Sequence, residues 1–250
     1  MSLQNRTALV TGAASGIGRA VALAYAREGA NVVVSDVDEE GGRETVRLVE
    51  EATPGAETLF VRADVTRPDD HEALVEATID RFGALHVACN NAGIGGEIAP
   101  VGEMGVDAWR KVVEINLSGV FYAMRTQIPR MLEAGGGAIV NMASILGEVG
   151  TAGSAAYVAA KHGVLGLTKT AALEYSEQGV RVTAVGPGYI DTPLLESLSE
   201  EQKSALVGLH PIGRLGRADE VAELVVWLSG DGASFTAGGY YPVDGGYLAR

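Results

Sequence analysis

Thr11-Gly12-Ala13-Ala14-Ser15-Gly16-Ile17-Gly18 joins a short apolar run, Thr7 to Thr11, to a stretch in which Ile17, Ala20, Val21, Ala24 and Tyr25 recur at helical spacing. The run reads as a buried strand and the stretch from Gly16 to Glu28 as a helix. The turn between them decides the fold. Gly12 permits its tight bend, Gly16 lets a ligand approach the backbone, and Gly18 lets the helix lie close on the sheet. The N–H groups at the opening of such a helix, with its dipole, attract a pyrophosphate. The spacing is G-x3-G-x-G rather than the more familiar G-x-G-x-x-G, but it asks the same of the chain.

The pattern repeats downstream. Asn31 to Ser35, Thr58 to Arg62, Leu85 to Asn90, Ala138 to Met142, Arg181 to Val185 and Tyr240 to Val243 are further short apolar runs. Amphipathic stretches separate them, among them Glu39 to Glu51 and a helix opening at Pro68, where the missing N–H is harmless and Asp69 and Asp70 suit the first turn. This alternation predicts an α/β fold, a doubly wound parallel sheet of about seven strands between two layers of helices. No Pro/Ser-rich stretch, charge run or short repeat marks a linker, so residues 1–250 read as a single domain.

Composition narrows the partners. The chain carries 19 Lys and Arg against 32 Asp and Glu, a formal net charge of −13, which repels nucleic-acid phosphates and anionic membranes alike. One cysteine, Cys89, rules out an intrachain disulfide framework. No apolar run reaches the roughly 18 residues that span a bilayer. Met1 to Arg6 lacks the basic-then-apolar pattern of a leader, so the expectation is a soluble cytoplasmic protein.

Two further features carry chemistry. Asp36 ends the second strand, where a carboxylate can accept both hydroxyls of an adenosine ribose and repel a 2′-phosphate. Ser15 and Val37 bring no positive charge beside it, so the expected cofactor is NAD rather than NADP. Tyr157 and Lys161 are four residues apart in a helical stretch and share one face, with Ser144 thirteen residues upstream of Tyr157. A free phenol titrates near pKa ~10 and is a poor base at neutral pH; a nearby ammonium lowers that value. A hydroxyl at Ser144, just past the fifth strand, can hydrogen-bond a substrate oxygen.

With those residues in view, the chain resembles a short-chain dehydrogenase/reductase over essentially its whole length. The resemblance rests on TGAASGIG (Thr11–Gly18), Asp64-Val65, NNAG (Asn90-Asn91-Ala92-Gly93), Asn116 in INLSG, Ser144, Tyr157-x3-Lys161 and Pro187-Gly188. It implies a Rossmann-type fold, a homotetramer, and hydride transfer between a nicotinamide and the carbinol or carbonyl carbon of a small-molecule alcohol or ketone. By the same resemblance Tyr157 is the general acid/base, and Lys161 lowers its pKa and holds the nicotinamide ribose. Ser144 donates to the substrate oxygen, and Asn116 positions a relay water behind Lys161. Gly12, Ser15, Gly16, Ile17 and Gly18 cradle the cofactor. Asp64 and Val65 contact adenine, Asn90 with Ala92 and Gly93 lies beside the adenosine ribose, and Pro187, Gly188, Ile190 and Thr192 cover the nicotinamide.

Other residues read blandly. His71, His86, His162 and His210 show no metal-ligand spacing and no metal is expected; Cys89 sits in an apolar strand; Trp109, Trp227 and Phe121 read as packing. Residues 193–213 make a plausible mobile lid, with Ser199 and Gln202 forming a capping box. Tyr189, Leu194, Leu195 and Leu198 fit a lid over substrate and ordinary packing equally. With Gly95, Leu146 and Val149 they would form a mostly apolar pocket. Two rivals remain at this level: an NADPH-dependent 3-oxoacyl reductase of the same family, opposed by Asp36, and a dinucleotide-binding regulator without turnover, which would not need Ser144, Tyr157 and Lys161 together.

Overall fold

A computed structural model of the chain describes residues 3–196 and 198–249. Position 197 of the expected lid, and positions 1, 2 and 250, lie outside the described residues. In chain order the elements are β1 (Thr7–Thr11), α1 (Gly16–Arg27), β2 (Asn31–Asp36), α2 (Glu39–Ala52), β3 (Thr58–Arg62), α3 (Pro68–Phe82), β4 (Val87–Asn90), α4 (Val106–Val113), α5 (Gly119–Glu133), β5 (Gly137–Met142), α6 (Ala155–Tyr175), β6 (Val180–Pro187), α7 (Glu200–Gly208), α8 (Ala218–Ser229) and β7 (Tyr240–Val243). A π-helical turn, Glu114–Ser118, joins α4 to α5.

The seven strands are parallel and lie in the order β3-β2-β1-β4-β5-β6-β7. The chain winds outward from β1 to β3, then restarts at β4 on the other side of β1. Crossovers leave β1 and β4 in opposite directions, which opens a crevice beyond their C-terminal ends. Side chains alternate across the sheet as strand geometry requires. Val10, Val32, Val34, Cys89 and Val140 face Val21, Ala22, Tyr25 and Val225 of α1 and α8. Leu9, Val33, Ala88, Ile139 and Val182 face Leu74, Val120, Met124 and Val164 of α3, α5 and α6. The result is the expected three-layer α/β/α arrangement.

Three expectations need correction. The sixth strand runs from Val180 to Pro187 rather than from Arg181 to Val185, so Pro187 ends the strand instead of standing in the loop after it. The fourth strand opens at Val87 rather than Leu85, because the His86 ring Nδ1 accepts the Thr7 N–H at 3.0 Å, where a ladder carbonyl would otherwise stand. Trp227 packs against the core, but Trp109 and Phe121 are substantially exposed on α4 and α5. Helical spacing with apolar neighbours describes a face without saying what covers it.

A polar network crosses the core beneath the crevice. Asn90 Nδ2 donates to Gln127 Oε1 (3.2 Å) and to Asn141 Oδ1 (3.0 Å), and Gln127 Nε2 donates back to Asn90 Oδ1 (2.9 Å). Asn141 Nδ2 donates to Thr168 Oγ1 at 3.0 Å. All four side chains are buried, so the network ties β4, β5, α5 and α6 into one register. Replacing Gln127 with Leu strips Asn90 of a donor and an acceptor, and should lower unfolding free energy by about 1–3 kcal/mol in urea titrations. An unchanged midpoint and slope would show that the network has no such role.

Candidate active site

The glycine turn is held from several sides. Ala13 N donates to Ser35 O at 3.1 Å, and Thr45 Oγ1 donates to Ala13 O at 2.8 Å. Ala14 N donates to Asp36 Oδ2 at 2.9 Å, and the Arg19 guanidinium donates to Ala14 O. From the β4 side, Asn91 Nδ2 donates to Thr11 O and Gly12 O, each at 3.0 Å. The sequence marks Asn91 only as a member of NNAG, with no role of its own, and does not mark the Arg19–Thr45 pair, since their partners lie in other elements.

This cradle fits a dinucleotide. Gly12 and Gly16 have φ of +65° and +52°, and a Cβ at Gly12 would lie 2.7 Å from Ala92 Cα. At Gly18 a Cβ would lie 2.1 Å from Gly12 O, so the close approach of α1 to the turn requires glycine. Ser15 is the extended residue before α1, and its side chain makes no capping bond. The first N–H groups of the helix, at Gly16, Ile17 and Gly18, therefore face outward without an intrahelical partner. Asp36 stands at the end of β2 with its Oδ1 also accepting Asp38 N at 3.1 Å.

Further along the crevice, Asp64 Oδ1 accepts both Thr66 N (2.9 Å) and Thr66 Oγ1 (2.8 Å). The Thr66 backbone bond leads in holding its carboxyl below the usual carboxylate range. Val65 adjoins it, and a Cβ at Gly119 would press 3.2 Å from the Val65 side chain. The side chain of Asn90 is committed to the core network. Gly93 lies between two site residues: a Cβ there would be 3.2 Å from Asn116 Oδ1 and 3.7 Å from Lys161 Nζ.

Asn116 sits fully buried in the π-helical turn, where the extra residue per turn aims it inward. Its Oδ1 accepts Ile94 N at 2.9 Å and its Nδ2 donates to Ile94 O at 2.8 Å. The side chain is thus spent on Ile94. Ser144 follows β5, is buried, and its hydroxyl accepts Leu146 N at 3.1 Å. Tyr240 of β7, unforeseen from sequence, donates its hydroxyl to Ser144 O at 3.1 Å.

Tyr157 lies in the first turn of α6 and Lys161 one turn on, with Nζ 5.5 Å from the Tyr157 ring centroid. Lys161 is buried, and its Nζ donates to Met142 O at 2.7 Å. Burial pulls its pKa down to about 8. The expected lowering of the phenol does not hold in the chain by itself. Burial raises the Tyr157 pKa, its hydrogen bond with Ser144 opposes that, and nearby Tyr189 adds to the rise. The amine is engaged by Met142 O, and desolvation leads among the causes that act on the phenol.

The loop beyond β6 closes the crevice. Gly188 N donates to Val243 O at 2.9 Å, Asp191 N donates to Gly216 O at 2.9 Å, and Ile190 is buried. Thr192 folds back over the glycine turn, so that a Cβ at Gly16 would lie 3.4 Å from its side chain. The sequence-assigned residues thereby lie along the C-terminal ends of the strands. Within 193–213, Ser199 and Gln202 form the expected capping box of α7, while Leu194 is exposed.

Residues 12–248 match the family model described as Enoyl-(Acyl carrier protein) reductase. Cyclohexanol dehydrogenase of Acinetobacter sp. (strain SE19) is 48% identical over 246 residues, covering 98% of this chain and 96% of its own. Cis-4-hydroxycyclohexanecarboxylate dehydrogenase of Sinomonas cyclohexanicum is 48% identical over 244 residues, covering 98% and 97%. The crystal structure of levodione reductase superposes with a TM-score of 0.96 at 39% identity, covering 99% of both chains.

The buried amine has a measurable signature. Its folded pKa is depressed from 10.5 to about 8, so the unfolded chain binds the proton more tightly and folding is penalised wherever both forms are protonated. That penalty is full below pH about 8 and fades as pH rises towards 10.5. The stability of Lys161→Met relative to the wild type should therefore fall by roughly 3 kcal/mol between pH 7 and pH 10.5, as the wild type sheds this penalty. Denaturant titrations at both pH values check this; a difference that does not vary with pH would refute it.

Proposed function

The chain belongs to the short-chain dehydrogenase/reductase family, and on that premise we propose that it oxidises a cyclic, largely apolar secondary alcohol to the ketone with NAD, and runs the reverse reduction. It is an oxidoreductase acting between alcohol and ketone with a nicotinamide cofactor. The observation that carries the finer reading is the meeting of Ser144, Tyr157 and Lys161 beside the glycine cradle. The relatives named for cyclohexanol and a hydroxycyclohexane acid support the substrate class. We also read the chain as one domain, a cytoplasmic homotetramer; the exposed Trp109, Phe121 and Leu173 are apolar surface that subunit contacts would cover.

In this reading the first N–H groups of α1, at Gly16, Ile17 and Gly18, hold the pyrophosphate with Gly12 and Ser15 shaping the turn. Asp36 takes the adenosine ribose hydroxyls, and its charge disfavours a 2′-phosphate. Asp64 and Val65 border the adenine, and Asn90, Ala92 and Gly93 present backbone along the adenosine side. Pro187, Gly188, Ile190 and Thr192 cover the nicotinamide, which when bound accepts or returns the hydride. Residues 193–213 act as lid.

Tyr157 takes the hydroxyl proton of the alcohol in oxidation and returns it in reduction. Ser144 donates to the same substrate oxygen and holds it at the phenol. Lys161 lies beside the ring and binds the nicotinamide ribose, with Met142 O orienting its amine. Asn116, whose side chain is engaged by Ile94, positions a relay water behind Lys161. Orientation supplies a large share of the barrier reduction, and proton transfer by Tyr157 contributes about 10²–10⁴-fold.

Tyr157→Phe should bind NADH normally in fluorescence titrations yet lose about 10²–10⁴-fold in kcat for cyclohexanol-type alcohols. Retained turnover would remove Tyr157 from the mechanism. Because burial raises the phenol pKa, wild-type kcat/KM for oxidation should climb on the alkaline side of neutrality, with reduction falling there. Cofactor choice is checked separately. The wild type should favour NADH over NADPH, and Asp36→Ala should narrow the ratio; equal use of the two by the wild type would contradict the role of Asp36.

A further inference from the structure

His210 is a buried histidine to which the mechanism gives no part. It follows α7, a helix none of whose described side chains is fully buried and whose Leu206 and Val207 are half-buried. The ring makes two bonds of opposite polarity. Its Nδ1 lies 2.8 Å from Leu206 O, a carbonyl of the last turn of α7, and must carry the proton. Its Nε2 lies 3.2 Å from Tyr189 N and must accept. Together they select the neutral imidazole protonated at Nδ1.

The fit around the ring is close. Tyr189 meets it edge-on at 5.8 Å between centroids, and Tyr247 lies 5.7 Å away on another side. A Cβ at Gly188 would stand 2.8 Å from Nε2 and 3.1 Å from Asp244 Cα, so the loop passes between the ring and the segment after β7 with no room to spare. Among the described residues the Tyr189 N–H has no other acceptor.

We propose that His210 is a positioning residue that fastens the C-terminal end of α7 to the Gly188–Tyr189 peptide, so that the lid helix and the loop over the cofactor move as one body. This rests on the dinucleotide reading of that loop. The Tyr189 side chain, which the sequence assigns to the apolar pocket or to packing, meets the same ring edge-on, so His210 also steadies that side chain. It touches neither substrate nor cofactor and acts through Tyr189.

The test uses the full-length wild type, His210→Phe and His210→Gln. Phenylalanine keeps a ring of similar size and loses both bonds; glutamine can accept from Tyr189 N–H and donate to Leu206 O. Nitrogen-15 imidazole spectra of the wild type should report the Nδ1–H tautomer, and an Nε2–H tautomer would overturn the proposal. Hydrogen exchange of the peptide spanning 186–195 should quicken in His210→Phe. NADH titrations and steady-state assays of that variant should show a roughly tenfold weaker Kd and a higher alcohol KM, the size of one lost hydrogen bond. Its kcat should stay within about threefold, since the reacting groups are untouched. His210→Gln should recover most of the affinity. Unchanged exchange and affinity in His210→Phe, or a well-folded His210→Gln as impaired as the phenylalanine variant, would overturn the assignment. If His210→Phe does not fold, the tautomer and the glutamine variant decide. The tautomer and exchange readings need no cofactor, so a wild type that oxidised no alcohol would count against the proposed function and leave the claim on His210 to be judged separately.

Discussion

An amine with almost no access to water sits at the centre of this molecule, and the Met142 carbonyl 2.7 Å from its nitrogen is the bond that makes the burial tolerable. That carbonyl belongs to the last residue of β5. Its position depends on β5 keeping register with β4, and on α6 keeping its height against both. The Asn90–Gln127–Asn141–Thr168 network supplies that register from beneath, one residue before Met142 on the strand and two turns after Lys161 on the helix. A slip of one residue would turn Asn141 to the other face and leave several buried amides without partners. The polar core therefore serves the site directly, and its satisfaction is a condition for the amine to be where it is.

Much of this could be read from the chain before any coordinates. The turn from Thr11 to Gly18 announced a strand, a bend and a helix, and β1, β3 and β7 begin and end where their apolar runs do. What escaped was whatever depends on a partner far away. His86 takes a backbone donor of β1 and delays β4, which no local pattern encodes. Tyr240 and Thr45 are ordinary polar residues until the sheet brings them to Ser144 and Ala13, and the NNAG motif marks Asn91 without saying that it pins Gly12. The sign of the Tyr157 shift was also out of reach. Spacing places an ammonium on the same helical face, but the balance between that charge and desolvation is set by how deeply both groups sink.

The two halves of the crevice are built differently, and the difference follows from what each must do. In the proposed reading the backbone itself faces the ligand on the β1 side, so precision comes from pinning peptides: Ala13 and Ala14 are each bonded at both N–H and carbonyl. On the β5 side the chemistry belongs to side chains, so precision comes from rotamers locked by burial and by bonds to Met142, Leu146 and Ile94. Glycines occur where the halves touch. Gly12 abuts Ala92, Gly93 lies between Asn116 and Lys161, and Gly16 receives Thr192.

That last contact matters for how the protein can move. Thr192 belongs to a loop that is anchored at both ends, by Gly188 on Val243 and by Asp191 on Gly216, yet leads into a helix with no buried described side chain. A segment of that kind has few apolar contacts to lose on opening, so its local stability is lower than that of the sheet it covers. The rigid groups on α6 and β5 need not shift when it does. In the proposed reading, proton transfer and ligand enclosure fall to parts of the chain with different stabilities, and a loop that opened and closed would do so without disturbing the buried amine on which the rest is arranged.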